Sequence, residues 1–169
     1  MSNQLSTPQA EPVAFDPRHR PLFATSRWGV LLYRNQTYLG RSLVYLRTRA
    51  LSDVLELTRD ERDELWDEVL PALASGIEAA FGPDRLNYAH LANRKHHVHW
   101  HVVPRYETEP ERRFAGHTFL DDRRGQIFRT RRRGLVSDEV LDTIAAHLRG
   151  HLPALSWLSG PGSGSSAGG

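Results

Sequence analysis

The segment HVHWHVVP, residues 97–104, alternates histidine with apolar side chains before closing on valine and proline. Strict period two is the pattern of a β-strand with one face on a core and the other turned away from it. Val98, Trp100 and Val102 then face inward, while His97, His99 and His101 share the other side, roughly 6.6–7 Å apart along the backbone. Whatever this chain folds into must contain a sheet with one apolar and one histidine-bearing face. Pro104 is expected to end the strand. Five of the nine histidines, His90, His96, His97, His99 and His101, fall within twelve positions. Strand parity puts His96 opposite the set of three, as a strand-start residue.

The neighbouring segments supply the rest of the sheet. WGVLLYR (28–34) and RSLVYLRT (41–48) read as strands joined through NQTYLG, whose Asn and Gly suit a turn. LNYAHLA (86–92) reads as a strand that pairs antiparallel with 97–104 across the short polar connector NRKH. Between these pairs, Thr58 and Glu61 form a capping box, and Leu65, Leu70, Leu73, Ile77, Ala80 and Phe81 recur at helical spacing until Gly82-Pro83. Pro71 falls inside that helix, so a bend is expected near it. After a polar region from Arg105 to Gly134, Ser137 caps a last helix with Val140, Leu141, Ile144 and Leu148 on one face, ending before Gly150. Strands and helices do not alternate. The expectation is an α+β fold: an antiparallel sheet of about five strands with one long and one C-terminal helix packed on it.

A chain of 169 residues with 39% apolar side chains is one domain's worth of core. Residues 1–20 and 154–169 read as flexible tails, the second rich in Gly and Ser, leaving 21–153 as the folded domain. With no cysteine, disulfides and thiolate chemistry are excluded. The start of the chain lacks the pattern of a secretory signal, and no stretch is long and apolar enough to span a bilayer, so a cytoplasmic protein is expected. A net charge of +2 calls for neither nucleic acid nor membrane as a partner. The run Arg123, Arg124, Arg129, Arg131, Arg132 and Arg133 reads as a solvated loop, because only Phe128 interrupts it and nucleic-acid binding needs more stacking surface.

On spacing alone the three histidines fit an idle polar strand face, a metal site, or chemistry at phosphorus. Imidazole is a common zinc ligand, and alternate strand residues can reach one ion. Alternatively, a neutral imidazole attacks phosphorus and forms a phosphoramidate, while its neighbours donate hydrogen bonds to phosphate oxygens.

HVHWHVV (97–103) matches the His-apolar-His-apolar-His-apolar-apolar pattern of the histidine-triad family. NYAHLANRKHHVHWHVVPRY resembles that family's bacterial dinucleoside polyphosphate hydrolase-like branch. The similarity extends from about Arg27 to Tyr106 and takes in the hairpin and the helix that opens with LTRDERDEL. The resemblance implies a nucleotidyl hydrolase or transferase that cleaves at the α-phosphate of a purine nucleotide conjugate or dinucleoside polyphosphate. It maps the nucleophile onto His99, phosphate binding onto His101, and the bridging oxygen or leaving group onto His97. It also implies that Asn87 and Asn93 hold phosphate or leaving group and that Asn35 bonds ribose hydroxyls, with no obligatory cofactor or metal and a homodimeric assembly. Some branches carry a further histidine where this chain has Gly40-Arg41-Ser42. Arg41 either contacts a polyphosphate chain or points to solvent, and is left out of the catalytic set. Tyr33 and Leu43 are candidates for a purine slot. The rival functions are a nucleotide-binding regulatory module without catalysis and a histidine-ligated metal hydrolase.

Overall fold

A computed structural model describes residues 15–123 and 125–153. The tails proposed for 1–14 and 154–169, and Arg124 of the basic run, lie outside them. The sheet starts earlier in the chain than the sequence suggests. β1 (Arg20–Ala24) pairs antiparallel with β2 (Trp28–Leu32), and β2 with β3 (Ser42–Leu46), Val30 standing opposite Val44. β4 (Arg85–Ala89) and β5 (His99–Arg105) pair antiparallel, and β5 also pairs with β3. The resulting order is β1-β2-β3-β5-β4, a five-stranded antiparallel sheet in an α+β fold.

Two strand boundaries differ from the sequence reading. Pro104 stays inside β5, opposite Leu86, instead of ending it. The β3 ladder has already stopped at Ser42 and Val102, so Pro104 lies beside β4 alone, an edge-like place where a missing N–H is tolerated. β4 ends at Ala89, which leaves a longer loop before β5, and Ala92 within it has a positive φ of 46°. His97 precedes the strand and does not belong to its regular ladder.

Parity sorts the sheet into two chemically distinct faces. Trp28, Val30, Leu32, Val44, Leu46, Trp100 and Val102 point to one side and join a single core cluster with residues of the helices. Thr58 caps α1 (Arg59–Asp63) through the expected reciprocal bonds with Glu61. The helix continues through a π-helical stretch, Glu64–Val69, into α2 (Leu70–Phe81) and stops at Gly82, whose φ of 57° is left-handed. The disturbance expected near Pro71 takes this form: the proline ring and its missing N–H break the ordinary ladder, and a wider turn just upstream accommodates both. Leu65, Val69, Leu73 and Ile77 are all buried from this helix, and Trp28 Nε1 donates to the Glu61 carbonyl at 2.9 Å, tying β2 to its start. α3 (Asp138–His151), capped by Ser137, adds Ile144 and Leu148 and packs on α2 and β1.

The polar region 105–134 holds structure that its composition hides. β6 (Glu111–Phe114) and β7 (His117–Leu120) form a separate hairpin, turning at Ala115 and Gly116 with φ of 48° and 76°. Two positive φ values in a two-residue turn are those that match strand twist. No helix among the described residues is long and apolar enough to cross a membrane.

Leu73, 0% exposed, sits in the middle of the single core. Leu73→Ala is expected to lower unfolding free energy by about 2–5 kcal/mol in urea denaturation. A loss well under that range would mean that α2 does not pack as described.

Candidate functional site

The face of the sheet opposite the core forms the floor of a pocket of about 340 Å3. Leu43 pairs with His101 and Tyr45 with His99, and paired residues in neighbouring strands share a face. Three segments rise around this floor. Phe15 and His19 come from the chain before β1, residues 91–95 from the β4–β5 loop, and Phe128 and Thr130 from the segment after β7. Phe15 and His19, placed in the N-terminal tail by composition, thus line this pocket. Phe15 lies 4.6 Å from the Tyr45 ring and 6.0 Å from that of His99. The Lys95 ammonium sits 4.5 Å over the Phe15 ring.

His99 Nδ1 is 2.6 Å from the backbone oxygen of His97. A carbonyl can only accept, so Nδ1 carries the proton and Nε2 keeps its lone pair. Nε2 has no hydrogen-bond partner among the described residues, and the ring lines the pocket. Burial lowers the pKa of His99 and outweighs the raising effect of the His97 carbonyl, which keeps the imidazole neutral. His90 Nδ1 donates to the His99 carbonyl at 2.8 Å, bracing the strand from behind.

His101 is held in the complementary state. The Arg41 guanidinium contacts its Nδ1 at 3.4 Å, and because arginine only donates, the proton of His101 sits on Nε2. The two rings stand edge to face, 5.3 Å apart. Burial, with Arg41 beside it, pushes the His101 pKa down to about 3. The pocket thus presents an acceptor nitrogen from His99 next to a donor nitrogen from His101.

His97 does something else. Its Nε2 donates to the Leu46 carbonyl at 2.6 Å and its Nδ1 accepts from Leu51 N–H at 3.3 Å, which uses both ring nitrogens on the backbone. The ring is buried and does not line the pocket, so the structure does not bring it beside His99 and His101 at the place expected for the leaving group. The same bonds leave it no lone pair for a metal. Among the described residues no three His, Asp or Glu side chains gather as a ligand group.

The asparagines divide. Asn93 lines the pocket. Asn35 does not: its Nδ2 donates to the Arg131 carbonyl at 2.8 Å, and its Oδ1 accepts from Thr37 N–H at 3.0 Å and Thr37 Oγ1 at 2.7 Å. It is a buried fastener that holds residues 131–135 against the β2–β3 loop, where a Cβ on Gly134 would come within 2.4 Å of Asn35 Oδ1. Asn87 shares the face of the histidines through its pairing with Val103, but accepts a bond from Arg105 Nη1 at 3.0 Å and lies outside the pocket. Arg105 is itself spent on a buried ion pair with Asp121, Nε to Oδ2 at 2.8 Å, and on the carbonyls of Arg123 and Gln126. Both amides are consumed in fixing the segment that carries Phe128 and Thr130. Of the basic run, Arg131 and Arg133 pair with Asp122 at the exposed surface.

Arg41 is the residue whose place the sequence left undecided. It is 3% exposed, lies at the pocket rim with its guanidinium carbon 4.3 Å over the Tyr33 ring and 5.3 Å from that of Phe128, and donates to Thr130 Oγ1 at 2.8 Å. Tyr33 and Leu43, candidates for a purine slot, both line the pocket.

No protein-family model and no curated protein matches the sequence. Solved structures do match the fold. A histidine triad protein from Sinorhizobium meliloti 1021 superposes with a TM-score of 0.61 at 20% identity, over 82% of this chain and 96% of that one. One from Marinobacter aquaeolei VT8 gives 0.58 at 23% identity, over 80% and 89%. A protein from Sulfolobus tokodaii strain 7, described as a hypothetical histidine triad nucleotide-binding protein, gives 0.58 at 20% identity, over 79% and 83%. The chain has the histidine-triad fold.

Two outcomes follow from these bonds. Asn35→Ala leaves buried backbone groups unpaired and is expected to lower stability by about 1–3 kcal/mol in urea denaturation, an effect that a surface ribose-binding residue does not produce. Burial also holds His19 at about 4 and His101 at about 3, against an ordinary value of 6.5. The unfolded chain takes up these protons below pH 6.5 and the folded chain does not until about 4 and 3, so stability falls with pH across that window. Thermal melts from pH 7 to 3 should show that decline, and His101→Gln should make it shallower between pH 6 and 4.

Proposed function

We propose that this protein is a histidine-triad nucleotide hydrolase or nucleotidyl transferase that cleaves at the α-phosphate of a purine nucleotide conjugate or dinucleoside polyphosphate. The observation that carries the reading is the pairing in one pocket of an unprotonated His99 Nε2 with a protonated His101 Nε2. The first is a nucleophile and the second a donor for a phosphate oxygen; a metal site would use the free lone pair of His99 but not a protonated nitrogen beside it, and an inert polar face requires neither.

In this reading His99 Nε2 attacks phosphorus, a P–N bond forms, and the bond to the leaving group breaks with its electron pair departing on that group. The adduct's imidazole becomes cationic, and its Nδ1–H already rests on the His97 carbonyl, 2.6 Å away, which stabilises the charge. His101 Nε2–H bonds a non-bridging oxygen. Water, or another acceptor in a transferase, then attacks phosphorus and releases His99. Asn93 adds a neutral amide at the pocket mouth, and Tyr33 and Leu43 offer apolar surface to the base. The chemistry needs no obligatory cofactor. We assign the protein to the cytoplasm as a homodimer, with the nucleotide as its main partner.

His99→Ala is expected to lower turnover of a fluorogenic nucleotide conjugate by at least about 10^3-fold while nucleotide binding, read by calorimetry, persists. Full turnover by the variant would sink the mechanism. A wild-type protein that binds nucleotide without turning over any conjugate would instead be the regulatory module.

A further inference from the structure

The turn Asp16-Pro17-Arg18-His19 sets an imidazole into the pocket wall. Asp at its first position and Pro at its second favour a tight turn, and His19 N–H closes it on the Asp16 carbonyl at 3.0 Å. The Asp16 carboxylate accepts from Arg18 N–H at 3.0 Å and pairs with Arg34 Nε at 3.3 Å, which ties the turn to the chain leaving β2. His19 is thereby held just before β1, 8% exposed, with its ring 4.5 Å from that of Tyr33.

The two ring nitrogens of His19 have different fates. Nδ1 accepts from Arg34 N–H at 3.0 Å, so the proton of the neutral ring is on Nε2. Nε2 has no partner among the described residues, where Arg41 Nε is the one partnerless side-chain polar atom sealed from solvent, so the His19 Nε2–H opens onto the pocket that the residue lines. Burial keeps the ring neutral down to about pH 4. His97, by contrast, spends both nitrogens on the backbone. Fastening Arg34 N–H needs only the first nitrogen of His19, and the second is a buried donor with no task in the fold.

Along the pocket the rings follow one another, His99 to His101 at 5.3 Å, His101 to Tyr33 at 5.4 Å and Tyr33 to His19 at 4.5 Å. Tyr33 separates His19 from the two phosphoryl-handling rings, and among the described residues no ring contact joins His19 to either. A ligand atom bonded to His19 therefore belongs to the part of the molecule beyond that phosphoryl group. A neutral donor suits an uncharged acceptor there: a hydroxyl or ring oxygen of a sugar, or a ring nitrogen of a base. Asn35, expected from the sequence to hold the sugar, is consumed elsewhere.

We propose that His19 reads the nucleoside part of the ligand, its Nε2–H donating to one acceptor atom of the sugar or the base. The inference rests on the nucleotide reading of the pocket and makes His19 a specificity-determining residue.

Calorimetric titration with adenosine monophosphate, and with analogues that lack in turn one sugar hydroxyl, the sugar ring oxygen or one base ring nitrogen, tests this. Wild-type protein should bind one analogue about tenfold more weakly than the parent nucleotide, because the buried donor then loses its partner. His19→Asn, whose side chain still offers an acceptor to Arg34 N–H, should bind the parent and that analogue alike, the parent about tenfold more weakly than wild type does. If His19→Asn does not fold in a thermal melt, His19→Leu is read in the same way. A sugar analogue as the weak one assigns the bond to the sugar, and a base analogue assigns it to the base. A variant that binds the parent as tightly as wild type, or that still discriminates against the same analogue, overturns the proposal. Wild-type protein that binds every analogue like the parent overturns it too while leaving the nucleotide reading intact. Failure of wild type to bind the parent at all defeats that reading and the proposal with it.

Discussion

The bond between His99 Nδ1 and the His97 carbonyl is the interaction on which the site depends. It fixes the tautomer of His99, aligns the ring, and puts a lone pair into the pocket. It holds only because His97 is itself immobile, its ring bonded to Leu46 O and Leu51 N and its backbone delivered to the start of β5. Val98 extends the same clamp, its N–H bonded to Leu51 O and its carbonyl to Leu46 N. The first histidine of the motif is thus the anchor of the second.

A sheet with two unlike faces makes this affordable in folding terms. The apolar face, with Trp28, Trp100 and the leucines of α2 and α3, supplies the burial that drives folding. The opposite face is then free to carry polar groups, most of them bonded to backbone or to a neighbour. Burial on that side keeps His19, His97, His99 and His101 neutral, so the fixed positive charge of the pocket comes from Arg41 and the loop cations. The walls come from three distant parts of the chain. The segment after β7 is held by the buried Arg105–Asp121 pair and by Asn35, and it is this tethering that brings Phe128 and Thr130 over Arg41.

Much of the scaffold was legible because it follows from local rules. Alternation at 97–104 identified the histidine-bearing strand and its two faces, and Thr58 with Glu61, and Ser137, marked helix starts that the structure reproduces. β1 and the β6–β7 hairpin were not legible, since RPLFA is short and ERRF and HTFL carry too much charge and polarity to read as strands. The places of two of the amides were hidden for a different reason. Asn35 and Asn87 are spent on partners 96 and 18 residues away, contacts that no local pattern encodes. Arg41 likewise looks like any surface arginine until Tyr33, Phe128 and Thr130 enclose it, although its place at a position where related chains carry histidine was a signal that it belonged to the site.

In the proposed mechanism His99 Nε2 becomes covalently bonded to phosphorus. Rapid mixing with a nucleotide conjugate, denaturing quench at neutral to alkaline pH and peptide mass analysis test it most directly. The expected result is one nucleotidyl adduct on the peptide that contains His99, formed and lost within the turnover time and absent from His99→Ala. Turnover with no adduct at any time point, or an adduct on another residue, would rule this mechanism out.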